Sequence, residues 1–173
     1  MKINDLAQQR RSWLQLLLLK KSLWIFVITC LILIAAFAYY KQQSLELVLR
    51  DQEDGTEYIR EKVDPGDEII VHWRHSVERT IWEEKLKVEK DQTFTLTETR
   101  FQSFGAGVPN EKEGNVSIKD GYVVMDNLNE TKPAYYWFHS QLAELTVYKN
   151  GKELLLPDDI PHHHKVEMII EKG

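Results

Sequence analysis

The sequence predicts an all-β domain, an antiparallel sandwich or small barrel outside the membrane, preceded by one N-terminal transmembrane helix. Three observations predict it. Residues 22–40 form an uncharged apolar run, short alternating stretches fill the chain beyond it, and turn residues separate those stretches.

Ser22–Tyr40 reads SLWIFVITCLILIAAFAYY. At about 1.5 Å per residue, a helix of this length nearly matches the roughly 30 Å hydrocarbon core of a bilayer. Trp24 at one end and Tyr39 and Tyr40 at the other suit the two interfaces, where amphipathic rings prefer to sit. Arg10, Arg11, Lys20 and Lys21 precede the helix, whereas only Lys41 follows closely. The positive-inside bias therefore makes residues 1–21 a cytoplasmic basic segment and residues 41–173 an extracellular or periplasmic domain. Ala36-Phe37-Ala38 has the small-x-small pattern of a signal-peptidase site, but the apolar run exceeds the h-region of about 7–15 residues. An uncleaved signal-anchor is the favoured reading. Trp13–Leu19 is too short to span and reads as lying along the inner headgroup region.

Charge divides with the topology. The first forty residues carry five basic side chains and one acidic, a net of +4; the remainder carries 17 and 26, a net of −9. An acidic outer domain is a poor match to nucleic acid, because phosphate binding needs clustered Lys and Arg. The chain of 173 residues leaves room for one modest domain after the anchor. Cys30, the single cysteine, lies in the apolar run. No disulfide can form within the outer domain, a pattern common in exported bacterial proteins.

Apolar and polar residues alternate in Leu45–Arg50, in part in Ile81–Glu89, and in Thr93–Thr99, and further strands are expected at Glu68–Trp73, Tyr122–Met125, Ala134–His139, Leu142–Tyr148 and Val166–Ile170. The period of two in Thr93–Thr99 puts Phe94 and Leu96 on one buried face. Turns are expected at Asp54-Gly55, Asp64-Pro65-Gly66-Asp67, Lys119-Asp120-Gly121 and Asn150-Gly151. The last is a strong hairpin signal, since both residues tolerate the positive φ of a type I′ turn.

Two segments are denser in chemistry than ordinary strand and turn. In the first, His72-Trp73-Arg74-His75-Ser76-Val77-Glu78-Arg79-Thr80 is followed by Trp82-Glu83-Glu84. His75 beside Ser76 and Glu78 suggests a nucleophile with its base. Adjacent strand residues point to opposite faces, however, so His75 and Ser76 meet only at a bend. A polar network that fixes a loop or receives a ligand is the stronger reading. In the second, Glu98–Pro109 (ETRFQSFGAGVP), a strand runs into a loop whose glycines permit close backbone approach. Such a loop can offer N–H groups to a carboxylate or phosphate, but neither Walker A nor GxGxxG is present.

HSVERTIWEE followed by ETRFQSFGAGVP resembles the bacterial domain-of-unknown-function family 1850, short proteins with an N-terminal hydrophobic segment. The matching positions are His75, Ser76, Glu78, Glu84, Glu98, Arg100, Phe101, Gly105, Ala106, Gly107 and Pro109. The resemblance implies an accessory role beside a tripartite ATP-independent periplasmic (TRAP) transporter with a TAXI-type solute receptor. It supplies no catalytic residues. The candidate ligand-binding set is His75, Ser76, Glu78, Glu84, Glu98, Arg100, Gly105 and Gly107. If their strands pair, the three glutamates can meet His75 and Arg100 in a buried or half-buried cluster, where each charge needs a partner. The planar fork of Arg100 suits a carboxylate, either the domain's own or an organic-acid ligand's.

His162-His163-His164 suggests metal, but consecutive residues do not readily chelate one ion in an extended chain. A loop entering the last strand is the favoured reading, with no metal or cofactor. The leading functional expectation is a membrane-anchored, non-enzymatic accessory or ligand-binding protein. Its partners would be a TRAP permease or solute receptor and a small carboxylate. The alternatives are an extracytoplasmic hydrolase using His75, Ser76 and Glu78, and a structural envelope protein.

Overall fold

The computed structural model describes residues 20–39, 44–102 and 114–173. The chain divides into two compact units, residues 1–43 and 44–173. In the first, helix α1 (Lys20–Tyr39) is long and apolar enough to cross a membrane, as a membrane anchor or a signal sequence would be. Thr29 Oγ1 donates to the Ile25 carbonyl at 2.9 Å, so its hydroxyl is satisfied within the helix.

The second unit is a sandwich of two antiparallel sheets that do not close into a barrel. Sheet A runs β2 (Glu57–Val63), β1 (Leu45–Asp51), β11 (Lys165–Lys172), β8 (Tyr135–Phe138). Sheet B runs β10 (Lys152–Leu155), β9 (Thr146–Lys149), β3 (Glu68–Arg74), β4 (Ile81–Val88), β5 (Phe94–Phe101), β7 (Tyr122–Lys132), β6 (Asn115–Lys119). Leu47, Leu49 and Met168 from sheet A meet Ile69, Val71, Leu86, Phe94 and Leu96 from sheet B in one buried core.

Turn chemistry sets the connections. Asn150 (φ 50°) and Gly151 (φ 76°) both occupy the left-handed region and close the β9–β10 hairpin. The Asn150 side chain also ties this turn to β3, accepting from Glu68 N and donating to Asp67. The strand expected over Leu142–Tyr148 is shorter. Ser140 Oγ caps a 3-10 turn at Gln141–Ala143, Glu144 turns left-handed (φ 49°), and extended structure resumes only at Thr146.

One irregularity decides which side chains face outward. Phe94 and Leu96 are fully buried on the inner face of β5, as their spacing predicts. Continuing that period would also turn Glu98 and Arg100 inward. Instead β5 shifts register between Leu96 and Glu98: against β7 the shift is two residues, with the surplus on β7, and against β4 it is one residue, with the surplus on β5. The extra residue is Thr97, whose hydroxyl donates to the Lys85 carbonyl at 3.1 Å. Beyond this bulge Thr99 and Phe101 take the inner face, and Glu98 and Arg100 point outward.

Candidate functional site

On β4, Trp82, Leu86 and Val88 face the core, so the glutamate doublet splits: Glu84 faces inward and Glu83 outward. The register sets His72 opposite Glu83 and Glu83 opposite Arg100. These three residues form one row across β3, β4 and β5 on the outer face of sheet B. Arg100 Nη2 donates to Glu83 Oε2 at 2.8 Å, and His72 Nδ1 stands 3.5 Å from the same oxygen. The Tyr122 ring lies beneath the guanidinium, 5.4 Å from Cζ to ring centroid.

Desolvation distinguishes this row. The Glu83 side chain is 7% exposed and that of Arg100 40%. Burial pushes the Glu83 carboxyl upward, but hydrogen bonding to His72 and Arg100 outweighs it and holds the group below its ordinary range. Among the described residues, buried Arg100 Nε has no hydrogen-bond partner, and neither has Ser117 Oγ. Ser117 pairs with Val124, and Val124 with Arg100, so both unsatisfied groups belong to one cross-strand row. The result is a guanidinium with one corner fixed by a buried carboxylate and its remaining donors without an acceptor among the described residues. Such a group can accept a carboxylate in bidentate fashion. In the neighbouring row Lys85 pairs with Glu98 at 3.0 Å.

The other candidate residues are distributed differently. Glu84 accepts a hydrogen bond from Tyr135 of sheet A; burial first, then this carboxylate, raises the phenol well above its ordinary range. On the same inner face the Trp82 indole donates to Thr99 Oγ1 at 2.9 Å. His75 lies in the β3–β4 hairpin, its ring stacked on Trp82 with centroids 5.7 Å apart. Its Nδ1 accepts from the Glu78 backbone N–H at 3.1 Å, so that nitrogen serves the turn. Ser76 and Glu78 are exposed in the same hairpin. Gly105, Ala106, Gly107 and Pro109 lie outside the described residues.

The three consecutive histidines go to separate partners. His162 Nδ1 accepts from Gln141 N, the His163 ring stacks on Phe138, and His164 Nδ1 lies 2.6 Å from Asp51 Oδ2. That contact, with backbone N–H groups from Glu53 and Asp54, lowers the Asp51 carboxyl to about 2. Tyr58 donates to the same carboxylate, and its phenol is pushed up to about 12, chiefly by burial. Fully buried His139 bonds the Pro157 carbonyl through Nε2 at 2.9 Å, and burial lowers its proton affinity. Among the described residues, no three His, Cys, Asp or Glu side chains are grouped to hold a metal ion.

Sequence reasoning selected Arg100 but missed its partner. Glu78, Glu84 and Glu98 were the expected acids, whereas the register beyond the bulge brings Glu83 to the guanidinium. The signal was present in the doublet Glu83-Glu84, since a strand must send one carboxylate to each face.

Fold and site together define a β-sandwich, carried with an N-terminal apolar helix, that displays a charged row on its larger sheet. Residues 69–156 match the family described as Domain of unknown function (DUF1850); this is half of the chain, and the chain belongs to that family. The match contains His72, Glu83 and Arg100 and nearly all of sheet B, whereas β1, β2 and β11 lie outside it. No curated protein and no solved structure matches the chain.

Proposed function

We propose that this protein is a membrane-anchored accessory domain that binds a small carboxylate outside the cytoplasm and works beside a TRAP transporter of the TAXI receptor type. Arg100 carries the reading. Its guanidinium is oriented by the buried carboxylate of Glu83 and backed by the Tyr122 ring. Its Nε–H lacks an acceptor among the described residues. A buried donor without a partner is costly, on the order of 1–3 kcal/mol, and a ligand oxygen would relieve that cost. Confinement of Arg10, Arg11, Lys20 and Lys21 to the N-terminal side of the helix supports an outer location for the domain. The transport association rests on the family resemblance of the two sequence blocks.

The reading is tested by uptake of radiolabelled dicarboxylates and amino acids in a deletion strain with the neighbouring permease intact. Restoration by the parent protein but not by Arg100→Lys, which keeps the charge and loses the fork, is the expected result. Unchanged uptake of the whole panel in the deletion strain would contradict it.

A further inference from the structure

The outer face of sheet B around Arg100 carries several ion pairs among the described residues, Lys119 with Asp126 at 3.5 Å being the one on its β7 side. Arg74 Nη2 bonds Glu144 at 2.7 Å, Lys85 bonds Glu98 at 3.0 Å, and Arg100 bonds Glu83 at 2.8 Å. His72 stands among them as a further basic group. Glu83 faces it from β4, with Lys85 one row away. Thr146 and Tyr148 face it from β9, and Glu144 from the β8–β9 connection is close enough to sense its charge. Arg74 is the nearest charge on its own strand, and Arg100 lies one strand beyond Glu83.

Each fixed cation already has its own carboxylate, so the charge of this face turns on His72. Histidine is the side chain that gains or loses a proton between about pH 5 and 8. With His72 neutral, Glu83 Oε2 serves Arg100 alone and the row has no net charge. With His72 protonated, the same oxygen lies between two cations, and the row carries +1. Glu83 cannot match that charge, having one negative charge and almost no contact with water.

We propose, resting on the carboxylate-binding reading of Arg100, that anion binding at Arg100 is linked to proton uptake at His72 through the shared carboxylate of Glu83. An incoming carboxylate supplies the missing negative charge of the protonated row. By linkage, proton and anion each strengthen the binding of the other by the same factor. His72 is a positioning and charge-setting residue here, not a ligand contact.

The test measures fumarate affinity by titration calorimetry on the full-length protein in a non-ionic detergent, at pH 5.5 and pH 8. Both fumarate carboxyls are ionised throughout that range, so the probe does not change charge. The proposal expects about three- to tenfold tighter binding at pH 5.5, the size of a unit charge acting over several ångströms at a partly wet surface. Net proton uptake should appear in paired buffers of different ionisation enthalpy. His72→Gln should bind with one affinity at both pH values, and Arg100→Gln should bind at neither. Equal wild-type affinities, or a pH ratio that persists in His72→Gln, would overturn the coupling and leave the Arg100 site standing. Failure of the wild type to bind at either pH would overturn both readings.

Discussion

Among the described residues, Arg50 and Arg60 on the outer face of sheet A share four glutamates, and Arg100 on the outer face of sheet B has one. Arg50 bonds Glu167 at 2.6 Å and Glu171 at 2.9 Å, while Arg60 reaches Glu46, Glu57 and Glu171. The carboxylates on sheet A keep 18–43% of their side-chain surface in water, against 7% for Glu83. Ion pairs of the first kind contribute little, because solvent screens them and either partner can return to water. A carboxylate sealed like Glu83 depends on its cation. The same residue types thus make a surface lattice on one sheet and, among the described residues, a desolvated, incompletely satisfied row on the other. The family match divides similarly, holding sheet B and leaving out three of the four strands of sheet A.

The most damaging way to break this difference is to delete Thr97. Without the bulge the alternation from Phe94 and Leu96 continues, and Glu98 and Arg100 turn into the core. We expect loss of cooperative unfolding, or destabilisation by more than about 4 kcal/mol, in a denaturant titration followed by tryptophan fluorescence. A deletion variant of near-parent stability would show that the bulge does not set the face.

That residue also marks where the sequence stops being legible. Alternation in β1, part of β4 and the first half of β5 was readable, because each buries one face of apolar side chains. Asn150-Gly151 announced its own hairpin. β2 was not readable: it is an edge strand whose residues Glu57, Arg60, Glu61 and Lys62 make no apolar stripe. β6 and β10 are edge strands of five and four residues, too short for a period to emerge. The bulge has no local signature in β5, so the choice between Glu83 and Glu84 could not be made from spacing. Fully buried His139 was hidden for another reason. Its burial follows from contact with the distant Pro157 turn, which only the tertiary structure creates.

A second comparison removes one arginine from each sheet. Arg100→Ala leaves Glu83 buried with His72 as its remaining partner. Because Arg100 is itself partly exposed, we expect a loss of about 2 kcal/mol, below the usual range for breaking a fully buried pair. Arg50→Ala should cost less than about 1 kcal/mol, since Glu167 and Glu171 can return to solvent. Equal losses, read from urea midpoints at constant slope, would erase the distinction between the two faces.

Acid sharpens the comparison further, with a smaller effect. His139 binds its proton less readily in the folded than in the unfolded chain. Its contribution to stability is therefore complete above the ordinary histidine value of about 6.5 and declines below it. Asp51, lowered to about 2 from 3.8, and Glu83, also lowered, contribute fully above their ordinary carboxylate values and lose that contribution only in stronger acid. Stability should thus fall in two stages as pH drops, the first removed by His139→Gln and the second retained. A single transition below pH 4 in the wild type would rule out the histidine stage.

The most direct measurement is equilibrium dialysis of radiolabelled fumarate against three full-length proteins: the parent, Arg100→Lys and Arg50→Lys. Both variants keep their charge and lose a planar fork, one on each sheet. The account predicts at least about tenfold weaker binding for Arg100→Lys, the loss of one good bidentate contact, and parent-like binding for Arg50→Lys. Equal retention of the label by all three proteins would contradict it.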